Sequence, residues 1–367
     1  MPARSPKVAV LACWLAAAVL APAARAQEHD HEHMAADATQ SPKLDLHGFF
    51  DVVLRGERTR LAAGDSTTLG WSLGQFDLFM SSRLSDRISF LGEAVMETEA
   101  GEAGIDLERA YVRYAFSDRL RVTAGRTHSA VSYWYVTCHH GALLQPTIQR
   151  PVPVRFEDEE DGGFLPAHSV GLELSGAQPV GGLSLDWVAN LANGRPRDRT
   201  MVQVGGDANR DKQFGASATL GSTGELEWHA GGAFFHDRIP ADPLTGGETD
   251  QAIVGAHLAL RHRWFDEVGE YFRIEDHDRP SDARLANRAW YGVVSLGPGT
   301  WRPYLGVEGV RIDAADAYFA GAKDLDRATL GLRYDVNAYN VVKLEYRNTL
   351  RAGVRTHELL LQTAFTF

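Results

Sequence analysis

The chain has 367 residues, with 37 Lys and Arg against 48 Asp and Glu and a formal net charge of −11. That acid excess argues against a nucleic-acid partner, and no segment beyond the first 26 residues offers the long unbroken apolar run a helical membrane span needs. With 36 glycines, 16 Phe, 11 Tyr and 8 Trp and few helix-like stripes, the composition suits a β protein, and a closed barrel is the one way such a chain spans a membrane.

Arg4 and Lys7 precede an apolar run from Val8 to Ala24, and the stretch closes on Ala24-Arg25-Ala26. The pattern predicts a secretory signal peptide over residues 1–26, preferred over a lipoprotein signal ending at Cys13. Its removal takes Arg4, Lys7 and Arg25 and no acid, so the mature charge falls from −11 to −14. Cys138 is then the sole cysteine, which excludes an intramolecular disulfide. Residues 27–43 interleave His29, His31 and His33 with Glu28, Asp30 and Glu32, and are expected to be a disordered His/acid-rich segment.

Strict alternation begins at Leu44, with Leu44, Leu46, Phe50, Val52 and Leu54 on one side and Asp45, His47, Asp51 and Arg55 on the other. Period 2 predicts a strand with one apolar and one polar face. The same pattern recurs near 73–84, 86–98, 104–116, 119–126, 168–175, 183–193, 212–221, 224–235, 251–261, 267–275, 287–297, 300–311, 325–335, 339–348 and 356–367. The total is about sixteen strands, each close to the length a tilted membrane strand requires.

The connections alternate between short and long. Tight turns sit at Ser85-Asp86, Ser117-Asp118, Ser222-Thr223 and Pro298-Gly299, whereas long connections fall near 56–70, 99–103, 127–167, 194–211, 236–250, 276–286, 312–324 and 349–355. Tight turns on one rim and longer loops on the other characterise an outer-membrane barrel. The predicted fold is therefore all-β, a closed antiparallel transmembrane barrel over residues 44–367.

Charge placement agrees. Phe76, Leu78 and Met80, Phe90 and Met96, and Leu330, Leu332 and Tyr334 share one face of their strands, while Asp77, Glu93, Glu97, Arg327 and Arg333 share the other. A basic side chain facing lipid at mid-membrane costs about 2–4 kcal/mol, so the charged face is expected to line the lumen. Trp187, Trp264, Trp290, Trp301 and Tyr346 fall near strand ends, where amphipathic rings favour a membrane interface.

The last strand reads HELLLQTAFTF and ends on Phe367. It resembles the terminal strand of bacterial outer-membrane porins, and the pattern of strands and loops resembles that family over the whole mature chain. The resemblance implies a water-filled channel for small hydrophilic solutes in the outer-membrane lipid. It also implies a homotrimer, recognition of Phe367 by the barrel assembly machinery, and no cofactor. In sixteen-stranded porins the third external loop, here 127–167, folds into the lumen as a constriction. Its acids Glu157, Asp158, Glu159, Glu160 and Asp161, followed by the Gly162-Gly163 bend, would face the wall residues Arg109, Arg113, Arg121, Arg302, Arg333 and Arg347. The chain is also similar to phosphate-selective porins but lacks their concentrated lysines, and the mature charge and loop acids favour a weak preference for cations.

Two other chemistries are weighed. Cys138, His139 and His140, with His128 and His168 flanking the same loop, are donors of the kind that bind zinc or copper, although no C-x-x-C or H-x-x-x-H spacing accompanies them. A wall enzyme needs a nucleophile beside a general base. No G-x-S-x-G occurs, and Ser129 and His128 are neighbours whose side chains would leave a strand on opposite faces. A structural or adhesive barrel is the remaining alternative.

Overall fold

Alternating sequence becomes a continuous wall. The computed structural model describes residues 42–99, 102–137, 141–203, 205–241, 247–297 and 299–367. Sixteen strands run through them: β1 (Leu44–Leu61), β2 (Gly64–Arg83), β3 (Ile88–Glu99), β4 (Glu102–Ser117), β5 (Leu120–His128), β6 (His168–Val180), β7 (Leu183–Asn193) and β8 (Lys212–Thr223), then β9 (Glu227–Ile239), β10 (Thr249–His262), β11 (Phe265–Asp278), β12 (Ala283–Leu296), β13 (Trp301–Arg311), β14 (Leu325–Asn337), β15 (Asn340–Arg351) and β16 (Val354–Thr366). Each pairs antiparallel with its sequence neighbours, and β1 also pairs with β16, which closes the barrel and leaves no free edge. The signal peptide and most of the His/acid-rich segment expected before Leu44 lie outside the described residues, as do Cys138, His139 and His140.

Strand β16 displays the two faces. Leu359 and Leu361 are exposed, whereas Leu360 and Gln362, which alternate with them, are buried. Around the wall, exposed Leu46, Val112, Leu172, Phe214, Val254, Leu305, Leu330 and Leu344 form an apolar outer surface. Asp51, Asp77, Glu93, Arg327, Lys343 and Glu345 point inward and are buried. This is the predicted facing.

At the seam, Gly48 and Phe367 exchange two backbone hydrogen bonds of 3.0 Å. A Cβ on Gly48 would stand 2.2 Å from the Phe367 ring, so only glycine leaves room for the terminal aromatic there.

Several connections expected to be long are short instead, and Glu99 already pairs with Glu102 within the one expected at 99–103. The strands on either side of 56–70 continue until Leu61 pairs with Gly64, those around 349–355 until Arg351 pairs with Val354, and those around 276–286 until Asp278 pairs with Ala283. Ala352 (φ 46°) and Gly353 (φ 82°) form the two-residue centre of one of these hairpins, with both residues left-handed. The extensions do not read as strands because polar residues dominate both of their faces. In β2 every residue from Gly64 to Leu73 is exposed; Gly64 to Thr68 offers no large apolar side chain to reveal the period, and Leu69, Trp71 and Leu73 alone carry it.

Candidate functional site

The 39 residues between β5 and β6 are held at their neck by Ser129 N–H donating to the Ala167 carbonyl at 2.8 Å. The first docking point is a short helix, α1 (Tyr133–Thr137). The buried Glu270 carboxylate of β11 accepts the backbone N–H groups of Tyr133 (2.7 Å) and Trp134 (2.9 Å), the Ser132 hydroxyl (2.8 Å) and the Tyr291 hydroxyl (2.6 Å). A carboxylate at the start of a helix satisfies N–H groups that have no partner within the helix. Trp134 is 0 % exposed and meets Tyr291 edge-on at 5.6 Å.

Around this helix lies an apolar core that combines Val131, Tyr135, Val152, Val154, Phe156 and Phe164 of the segment with Phe235, Ile253, Phe272, Ile274 and Val293 of the wall. The inward side of β9–β12 is thus partly apolar, contrary to the expectation of a uniformly charged lumen face. Adjacent pairs such as Phe234-Phe235, Ile253-Val254 and Tyr271-Phe272 carry the signal, since each puts one apolar residue on either face.

Farther along, the segment contacts the polar inward side of β13–β16. Lys343 Nζ donates to the carbonyls of Ala142 (2.6 Å) and Thr147 (2.8 Å), and Arg333 donates to those of Leu143 (2.7 Å) and Gln145 (3.1 Å). The Ile148 N–H reaches Glu345 at 3.0 Å, Gln362 donates to the Ile148 carbonyl at 3.3 Å, and Val152 N–H donates to Glu308.

The acidic run is divided among different partners. Glu157 is buried and accepts from Ala167 N–H (2.7 Å) and His168 Nδ1 (2.9 Å). Burial pushes its pKa up, but the charge of His168 and these hydrogen bonds outweigh that and hold it below the usual glutamate value. Glu159 pairs with Arg150, Asp161 pairs with Arg351, and Glu160 lies 3.7 Å from Arg55. Arg150 also stacks its guanidinium 3.5 Å from the centre of the Phe156 ring. Burial opposes its charge, yet Glu159, Glu108 and Asp77 raise its pKa above the ordinary arginine value. Arg155, buried and close to Arg327 and Arg347, is pushed down to about 10 and stays charged at neutral pH. The predicted bend is present: Gly162 N–H donates to the Glu159 carbonyl, and a Cβ on Gly162 would collide with the Phe156 carbonyl at 1.7 Å.

The six wall arginines named from sequence do not form one ladder. Arg109 pairs with Glu93 at 2.7 Å, and Arg113, 3.8 Å from Glu173, lines with Arg109 and Arg121 a cavity of about 470 Å³ beside β4–β9. Arg302 and Arg333 both bind Asp335, at 2.9 and 2.7 Å. Arg347 pairs with Glu345 and donates to the Gln149 side chain. Arg55, Arg150, Arg155 and Arg351, which sequence reasoning missed, contact the run directly. Arg150 and Arg155 belong to the segment itself, Arg55 lies within β1, and Arg351 ends β15, which was read too short.

Between the segment and β1–β2 lies a cavity of about 640 Å³, adjoined by one of about 350 Å³ that shares Arg55, Gln149, Arg155 and Glu160 with it. Among the described residues the two are lined by six arginines (55, 150, 155, 327, 347, 351) and six carboxylates (51, 57, 158, 159, 160, 358). Opposed charges across a wet passage set up a transverse field.

No protein-family model and no curated protein matches the chain. Solved structures do. An anion-selective porin from Comamonas acidovorans aligns at a TM-score of 0.62 with 13% identity, over 89% of this chain and 100% of that one. The outer membrane channel DcaP of Acinetobacter baumannii aligns at 0.59 with 12% identity over 89% and 98%, and the trimer form of the outer membrane protein OmpT of Vibrio cholerae at 0.54 with 13% identity over 89% and 100%. Identity this low carries the architecture and nothing finer, and on that architecture the chain has the sixteen-stranded barrel fold of outer-membrane porins and channels.

Proposed function

We propose that this protein is an outer-membrane porin through which small hydrophilic solutes or ions diffuse passively, with the 127–167 segment lying across the lumen as the constriction. The observation that carries the reading is the adjoining pair of cavities between that segment and the wall, lined by opposed charges. A barrel of sixteen strands is wide enough to hold both a folded segment and water. Asp158, Glu159 and Glu160 of the acidic run, with Asp51, Glu57 and Glu358, supply the acidic side, while Glu157 and Asp161 anchor the two ends of the run. Arg347 of the predicted ladder, together with Arg55, Arg150, Arg155, Arg327 and Arg351, supplies the basic side, and Arg109, Arg113, Arg121, Arg302 and Arg333 shape the rest of the lumen. Because the lining charges balance, selectivity is weak, and the excess acid of the chain favours cations.

The exposed apolar surface suits contact with outer-membrane lipid, a signal peptide over residues 1–26 would direct export, and Phe367 would serve the barrel assembly machinery. Assembly as a homotrimer is part of the proposal, supported by the trimer form of the Vibrio cholerae relative. Transport rather than catalysis is the proposed activity. Planar-bilayer recording of the purified protein tests it: discrete open steps are expected, and sealed bilayers throughout would overturn the reading. In a salt gradient the reversal potential should carry the sign of a weakly cation-permeable pore, and an anion-permeable sign would refute that preference.

A further inference from the structure

The neck of the 129–167 segment holds a cluster that a diffusion channel does not require. Glu108, His128 and His168 come from the adjacent strands β4, β5 and β6, and one ligand atom from each lies within 4.8 Å of the others. His128 and His168 are direct partners in the β5–β6 pairing. Glu108 sits at a bulge: Glu93 pairs with Arg109 and Ala94 with Leu107, which leaves Glu108 as the extra residue. Bulges re-aim side chains in this way. All three residues are buried, with exposures of 5, 9 and 2 %. His168 Nε2 lies 2.6 Å from Glu108 Oε2, and His128 Nε2 lies 3.8 Å from the same oxygen.

The other nitrogen of each ring already has an acceptor. His168 Nδ1 meets Glu157 Oε2 at 2.9 Å, and His128 Nδ1 meets the Tyr135 carbonyl at 3.3 Å. A ring that donates from Nδ1 offers its Nε2 lone pair, and a carboxylate or carbonyl behind the ring is the usual support of a metal-bound imidazole. An imidazolium held between two carboxylates would account for His168. It gives no reason for a second imidazole to turn its Nε2 toward the same oxygen.

We propose that Glu108, His128 and His168 bind a divalent transition-metal cation of the zinc class through one carboxylate oxygen and two imidazole nitrogens. That donor set suits zinc and its neighbours, with an open position for water. The cation takes the place of the proton now shared between His168 Nε2 and Glu108, and that proton passes to solvent. Access runs through the cavity of about 470 Å³ that His128 lines. Because the two histidines are the last residue of β5 and the first of β6, the metal clamps the neck of the segment and fixes Glu157 behind it. This clamp stands or falls independently of whether the barrel conducts.

Binding of Co²⁺ alone and then Zn²⁺ alone to the folded full chain tests the proposal, with His29, His31 and His33 changed to alanine so that the N-terminal tract does not contribute. One equivalent of Co²⁺ with a visible absorption band, displaced by Zn²⁺, is expected. His128→Gln should abolish the band, and Glu157→Gln should weaken binding about 10- to 100-fold by loosening His168. His139→Ala/His140→Ala should leave it unchanged. Binding that survives His128→Gln, or that disappears only with His139 and His140, would overturn the site. Where a variant fails to fold, zinc-edge X-ray absorption of the unsubstituted neck decides: two imidazoles and an oxygen support the site, and one imidazole or none refutes it.

Discussion

The 129–167 segment meets two arcs of the wall in different ways. Toward β9–β12 the segment buries aromatic and aliphatic side chains, with Trp134 and Tyr135 at 0 % exposure, and Phe164 stacks 6.0 Å from Phe319 of the β13–β14 connection. Toward β13–β16 and β1 it presents backbone carbonyls and charged side chains to Arg333, Lys343, Arg347 and Gln362, and cavities remain. Apolar burial seals one side because contact there releases water. On the other side every buried polar group needs a partner, and water can serve as one, so that side stays open. Fixing a loop and leaving a passage are therefore assigned to different arcs of one wall.

The largest effect should come from breaking the sealed arc. Trp134→Ala removes a fully buried indole and should cost about 3–5 kcal/mol of docking energy. The expected signs are protease cleavage between residues 129 and 167 and larger conductance steps; an intact segment with unchanged steps would mean that the apolar arc is not what holds it. Next is Glu270→Gln, which withdraws the charge from the start of α1 and leaves one oxygen fewer for four donors. A loss of about 2 kcal/mol is expected, read as a lower denaturant midpoint for segment release with the barrel transition unmoved.

The open arc should respond in permeation and hardly in stability. Glu160 has a side chain that is 66% exposed, so Glu160→Gln should change stability by no more than about 0.5 kcal/mol. It should still lower the cation-to-anion permeability ratio measured from reversal potentials, and a stability loss with constant selectivity would reverse the assignment of the two arcs. The smallest effect is one of pH. Burial pushes the Glu160 pKa up, while Arg155, Arg55, Arg351 and Arg327 bring it below the ordinary glutamate value of 4.5. A depressed carboxylate keeps its charge as pH falls through 4.5 and loses it only below. The Glu160-dependent part of the selectivity should thus persist at pH 4.5 and fade under it, and fading above pH 5 would contradict the pairing.

Strand number and facing were legible because lipid imposes a strict rule on every second residue. The alternation of Leu359 and Leu361 with Leu360 and Gln362 shows the rule, and it fails where lipid is absent. Residues 57–60 and 64–68 at the β1–β2 hairpin carry no large apolar side chain, so the hairpin there read as a loop; Arg55 stood on the polar face of its strand, but nothing local tied it to the acidic run. The acidic run was found by composition, whereas its partners depend on how the segment packs against the wall, which no local period encodes. Glu108 was missed for another reason. Its role rests on a bulge, and Glu108-Arg109 reads as an ordinary charged pair in sequence. The two histidines at 128 and 168 stood out only as flanking residues until pairing set them side by side.

The seam between Gly48 and Phe367 bears on how the molecule is made. Thr366 donates to the Gly48 carbonyl at 2.8 Å across 318 positions of sequence, and β1 has β16 as one of its two partners. Fifteen of the sixteen ladders can zip locally from hairpins and the segment neck, but the last requires the two ends of the folded chain to meet, the kind of contact whose loop-closure entropy slows folding. Until it forms, two strand edges remain open, so closure is the step at which an incomplete sheet either becomes a barrel or is left able to pair with another chain.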